Sequence, residues 1–179
     1  VPFKKVYRYE VNLNELVGRT DGPGMHAADA LLKLENKVSS RLGKPLPSGA
    51  VSVMEDDPQG RGVLAGQDRI EDTPVGLPFE VELGRAPDVA VIVRVAKVEV
   101  APPRVRSRVQ VSIRNGKPVP ITFELRHFIL GANYKVLEKS ARHGTVLGRP
   151  QWSLRLRPGQ TKRLIRPGSG ANCLVGSSA

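Results

Sequence analysis

Arg104, Arg106, Arg108 and Arg114 are the residues whose type and spacing point most directly to chemistry in this 179-residue chain. They alternate with Val105, Ser107, Val109, Val111 and Ile113, so a strand over residues 104–114 would turn valines and isoleucine inward and arginines outward. Outward side chains two residues apart on a strand stand about 6.6–6.8 Å apart, comparable to phosphate spacing along a nucleic-acid strand. The chemistry such a ladder can do is recognition of anions. Covalent chemistry has less to draw on. Glu55-Asp56-Asp57 and Asp68/Glu71/Asp72 are carboxylate clusters, but Asp57-Pro58 and Asp72-Thr73-Pro74 are also turn formers, and the spacing lacks the D-x-D-x-D-G of a calcium loop. Used as a glycosidase pair, they would have to stand about 5–9 Å apart across a cleft. His26, His127 and His143 are too dispersed for a metal motif. Ser140 and His143 sit without a G-x-S-x-G elbow, and Gly60-Arg61-Gly62 reads as a hairpin tip, not a dinucleotide loop. Cys173 is the only cysteine, so no internal disulfide can form, and it falls in a tail of small residues expected to be flexible from about 167 to 179. These residues predict no catalytic centre, no metal site and no cofactor.

The elements that must carry the arginines are strands. Forty per cent of the chain is hydrophobic and 25% charged, the signature of a globular protein. Valine dominates the apolar set, and 15 prolines with 18 glycines suit many short strands. No apolar run approaches the roughly 18–20 residues of a membrane-crossing helix. Val51 and Val53 alternate with Ala50, Ser52 and Met54; a turn at Asp57-Pro58-Gln59-Gly60 precedes a strand restarting at Val63. Thr73-Pro74-Val75-Gly76 turns again, and Phe79 to Leu83 alternates apolar with acidic until Gly84, which is expected to end that strand. Val89, Val91, Val93 and Val95 share one face of the next strand. Pro102 and Pro103 remove two ladder donors and predict a domain boundary. After the arginine strand, Asn115-Gly116 predicts a two-residue hairpin with a return strand facing Val119, Ile121, Phe123, Leu125 and His127 inward. Strands over 134–137, 151–156 and 161–165 complete an expected immunoglobulin-like sandwich, with Trp152, Leu154 and Leu156 on one face. The fold class is thus all-β: two β-sandwich domains, 1–101 and 102–179.

Leu46-Pro47-Ser48-Gly49-Ala50-Val51, Ala65-Gly66-Gln67-Asp68-Arg69-Ile70, Thr73-Pro74 and Glu82-Leu83-Gly84-Arg85-Ala86-Pro87-Asp88-Val89 resemble the bacterial DUF4139 domain. That family shows an LPAG-V strand, a GEDRI-like strand, a TPKGE-like turn and an LG-AFDV strand in the same order. Ile113 to Val119 resembles its LRNHKDEPV segment, and Pro158-Gly159-Gln160-Thr161 its closing PAGGET. The resemblance spans roughly residues 45–166 and implies a strand over the otherwise ambiguous Met25–Asn36. The family carries no catalytic residues to transfer. Many of its members bear export signals and further N-terminal domains. The resemblance therefore implies an exported or envelope-associated protein, and a chain beginning at Val1 without Met reads as part of a longer product.

Charge is divided unevenly. Residues 1–98 hold 13 Lys/Arg and 14 Asp/Glu, whereas residues 99–179 hold 15 and 3. A basic second half predicts an anionic partner: an anionic polymer, an anionic membrane surface or an acidic protein domain. The expected function is that of a non-catalytic binding or structural β-module. A carboxylate-dependent hydrolase is one alternative. Nonspecific nucleic-acid binding is another, weakened by the scarcity of aromatics (one Trp, three Tyr, four Phe) for base stacking.

Overall fold

The computed structural model describes the backbone of residues 1–12, 24–101, 104–128, 134–136, 142–165 and 169–171. Side chains are described for 1–12, 24–94, 109–128 and 142–164. The fold is all-β. Its strands are β1 (Lys4–Asn12), β2 (Gly24–Glu35), β3 (Gly49–Asp56), β4 (Gly62–Ile70), β5 (Pro78–Ala101), β6 (Arg104–Asn115), β7 (Ile121–Phe128), β8 (Tyr134–Val136), β9 (Gly144–Val146), β10 (Arg149–Leu156), β11 (Thr161–Ile165) and β12 (Ser169–Ala171). The only helical element among the described residues is a 3-10 turn at Val38–Ser40. Ten strands form one sheet in the order β8-β12-β6-β5-β2-β1-β7-β10-β9, with β11 also on β6; β3 and β4 form a second. The chain divides into two compact units, Val1–Arg8 with Ala28–Ala86 and Tyr9–Ala27 with Pro87–Ala179. The boundary expected from the sequence lay at 101 and 102. Pro102 and Pro103 are outside the described residues, and the strands flanking them pair with each other as far as Ala101↔Arg104.

In the first unit, Ala28, Ala30, Leu31 and Leu32 of β2 are all buried, so the strand is covered on both faces, as an interior strand must be. Its register on β1 sets Val6 opposite Leu31 and Tyr7 opposite Ala30. Leu32, Ile70 and Val81 form a core against which Leu46, Val51, Val53 and Phe79 pack. Arg8 is buried but not unpaired: its guanidinium donates to both carboxylate oxygens of Glu80, at 2.6 and 2.7 Å. Bidentate pairing of this kind is what lets an arginine lie inside a β layer. The hairpin β3–β4 turns at Asp57, whose carbonyl accepts the Gly60 N–H at 2.8 Å.

Gly84 does not end the strand it was expected to end. β5 runs 24 residues, from Pro78 to Ala101, through Gly84 at φ +94°. Glycine has no Cβ to clash at positive φ, so it absorbs the irregularity and the strand continues.

In the second unit the alternation reads as expected. Val109, Val111, Ile113, Ile121, Phe123, Leu125, Trp152, Leu154 and Leu156 are buried, and Arg114 is exposed. β7 and β10 are antiparallel neighbours, with Leu125 opposite Trp152 and Phe123 opposite Leu154. Two local expectations fail. β6 and β7 are not neighbours in the sheet, so Asn115-Gly116 does not close a hairpin. Neither residue has positive φ. Asn115 is fully buried; its amide donates to the carbonyls of Val119 and Arg157, at 2.9 and 3.0 Å, and its oxygen accepts the Lys117 N–H. Gly116 is glycine for closeness: a Cβ there would stand 2.7 Å from the Asp88 carbonyl oxygen. Val119, expected inward, is 53% exposed because it lies in this connection and not on the return strand. Within the stretch expected to be a flexible tail, Ser169–Ala171 is strand β12, paired with β6 and β8.

Candidate anion-binding face

β6 is the strand on which the outward arginines were expected. Arg104, Arg106 and Arg108 lie on it, and their side chains fall outside the described residues. Arg114 is described and exposed. The sheet gives it company that the local sequence does not. β5 flanks β6 with Ala90 opposite Arg114, Ile92 opposite Ser112 and Arg94 opposite Gln110. On the other side β11 places Thr161 opposite Arg114 and Arg163 opposite Ser112. Residues directly opposite in an antiparallel ladder share a face. Arg94, Arg114 and Arg163 therefore project from one face of three adjacent strands, and all three are exposed. From strand spacing and rise, their Cα atoms are about 8 Å (Arg114 to Arg163), about 12 Å (Arg94 to Arg163) and about 14 Å (Arg94 to Arg114) apart.

No described carboxylate pairs with any of these three arginines. Two of the described carboxylates in this unit bind other cations: Asp88 binds Lys117 at 3.0 Å, and Glu10 binds Arg149 at 3.5 Å. Half-buried Gln110 and Ser112 lie between the arginines on this face, beside Ala90 and Ile92 of β5. The charge divides between the compact units much as it does between the halves of the chain. The first unit holds ten Lys/Arg and ten Asp/Glu; the second holds eighteen and seven, so the whole excess of +11 belongs to it. Arg94 and Arg163 were missed by sequence reasoning. Arg94 had the outward parity, but β11 reaches β6 across a long connection, and no local pattern announces that register.

The other candidates resolve into structural roles. Glu55 pairs with Lys5 at 2.9 Å. Asp57 accepts the N–H groups of Gln59 and Arg61 and the Arg61 guanidinium. The Arg61 backbone N–H above all, joined by the Arg61 side chain and the Gln59 N–H, holds this carboxyl below its ordinary range against an opposing desolvation. Asp68 accepts the Glu82 N–H at 2.6 Å, and Asp72 accepts the Ser48 N–H at 2.6 Å. These carboxylates tie turns and strands together. A groove of about 330 Å³ in the first unit does gather Glu71, Asp72 and Glu80 beside Phe79. Glu80, however, is clamped by Arg8, with Lys33 3.6 Å away.

Among the described residues, no three metal-ligating side chains converge. His26 lies against Tyr9, and His127 and His143 both pack on Trp152, with centroids 5.1 and 4.9 Å from it. No helix among the described residues is long and apolar enough to cross a membrane. Comparison with family models, with curated proteins and with solved structures finds no match to this chain.

Proposed function

We propose that the chain is a non-catalytic β-module that holds an anionic polymer or surface against its second unit, by charge alone. The single observation that carries this reading is the set of three exposed arginines, Arg94, Arg114 and Arg163, on one three-stranded face without a described carboxylate partner. Arginine suits the role because its planar fork pairs bidentately with phosphate, sulfate or carboxylate. The same strand continues through Arg108, Arg106 and Arg104, which would extend the track. The buried alternation of β6, β7 and β10 supports an immunoglobulin-like reading of this unit. The resemblance to DUF4139 domains supports an exported or envelope-associated setting.

The test is titration of heparin, short DNA and anionic liposomes at low and physiological salt. The probes meet the wild-type chain, Arg94→Ser/Arg114→Ser/Arg163→Ser, and Arg104→Ser/Arg106→Ser/Arg108→Ser. Wild type should bind at low salt, show no preference among DNA sequences, and weaken as salt rises through counterion release and screening. Each triple variant should lose affinity and salt slope. The thermal midpoint of the Arg94/Arg114/Arg163 variant should hardly move, since exposed charges contribute little to folding. Absence of binding to all three probes at low salt would overturn the reading.

A further inference from the structure

β3 is an edge that carries charge only at its end, in Glu55 and Asp56, and is open from Gly49 to Met54. It pairs with β4 on one side, and among the described strands nothing pairs with the other. Soluble β proteins protect such edges with lysine, proline, an inward charge or a bulge, because open N–H and C=O groups template further pairing. Gly49–Asp56 contains no lysine, arginine or proline. The hairpin has one bulge, and it lies on the wrong strand to protect β3. Val53 pairs with Gly66 and Met54 with Leu64, so the extra residue is Ala65 of β4, and β3 itself stays regular. Beside this edge the hairpin exposes apolar surface: Met54 is 58% exposed, Leu64 55% and Val63 47%.

We propose that β3 is a self-pairing edge, and that two copies of this chain join by antiparallel β3–β3 addition about a two-fold axis at Ser52. The register follows from residue chemistry. Centred on Ser52, the pairing sets Val51 opposite the second copy's Val53, and Ala50 opposite its Met54. Glu55 then falls opposite Gly49, and Asp56 opposite Ser48. No like charges meet, and the exposed Met54 gains an apolar neighbour. Centring one residue later would set Glu55 opposite Val51 and Asp56 opposite Ala50, which buries carboxylates against apolar side chains. An isologous pairing of this kind closes on itself and does not propagate into fibres. It lies in the first unit and does not depend on the anion-binding reading of the second.

The experiment uses the full chain with Cys173→Ser as background, followed by sedimentation over a wide concentration range. The expected result is a monomer–dimer equilibrium. Ser52→Cys should oxidise to a covalent dimer much faster than Ser39→Cys, an exposed control outside the edge, because only the register above brings residue 52 against its own copy. Ser52→Lys places like charges opposite each other and should raise the dimer Kd by about fivefold or more while circular dichroism stays that of a folded β protein. A chain monomeric at every concentration, with Ser52→Cys no faster to cross-link than Ser39→Cys, would overturn the proposal. So would a dimer indifferent to Ser52→Lys.

Discussion

Two fully buried asparagines do at single positions what hydrophobic burial cannot. Asn36 donates to the carbonyls of Lys44 and Thr73, at 2.8 and 2.9 Å, and accepts the Gly43 N–H at 3.0 Å. Asn115 does the same in the second unit for the connection after β6 and for the end of β10. Each satisfies loop backbone groups that are buried or partly buried. Asn115→Ala leaves them bare and should cost about 2–4 kcal/mol, from three lost bonds and the desolvation they no longer offset. Urea denaturation should show a lower midpoint at unchanged slope; a loss below about 1 kcal/mol would mean that the connection is held otherwise.

Asp57 acts in the opposite regime, at an exposed turn, and titrates. Its folded pKa lies below its unfolded value, so its contribution to the β3–β4 turn is present above the unfolded pKa. That contribution is lost as pH falls through the lower, folded value. Amide exchange at Gln59 and Arg61 should therefore stay protected at neutral pH and quicken, relative to the rest of the hairpin, only well into acid. In Asp57→Asn that acid step should disappear.

At the scale of elements, β7 turns Ile121, Phe123, Leu125 and His127 inward, all of them buried. Phe123 has no exposed surface and faces Leu154 across the ladder. Phe123→Ala should cost about 3–5 kcal/mol through lost transfer energy and the cavity left behind. Equilibrium unfolding measures it, and a cost under about 1.5 kcal/mol would show that the neighbours collapse into the space. The alternation that places Phe123 inside is legible because a strand has a side-chain period of two. Partnership between strands is not written so locally. Asn115-Gly116 has the composition of a tight hairpin, yet β6 pairs with β5, β11 and β12, and β7 with β1 and β10. Burying the asparagine amide between the residue 119 and residue 157 carbonyls outweighs the local preference for a two-residue turn.

For the whole molecule, charge and edge fall in different units. The first unit balances ten basic against ten acidic residues, and its acids are spent on Lys5, on Arg61 and on turn N–H groups. The second concentrates the excess of +11 and leaves Arg94, Arg114 and Arg163 facing solvent. Solubility alone would be served by charge of either sign spread evenly. Single-sign charge gathered on one face adds a field that draws anions, which is why the salt dependence of binding is the deciding measurement for function. The β3 edge, by contrast, is neutral over its first six residues and is decided by concentration, not by salt.

The sequence by itself determined the all-β class, most of the inward residues and the sign of the net charge, since period-two alternation, turn residues and net charge are all local or additive. It could show that Arg114 projects from an alternating strand, and that the carboxylates near prolines are turn residues. Only the tertiary structure decided that Arg94 and Arg163 stand on either side of β6. β11 joins β6 from about 50 residues away in the chain, whereas β5 directly precedes it, and in both ladders the register is set by burial and backbone hydrogen bonding across the sheet. The same non-locality explains why Gly84 is passed through, why Asn115 is buried and why β3 has no second neighbour among the described strands.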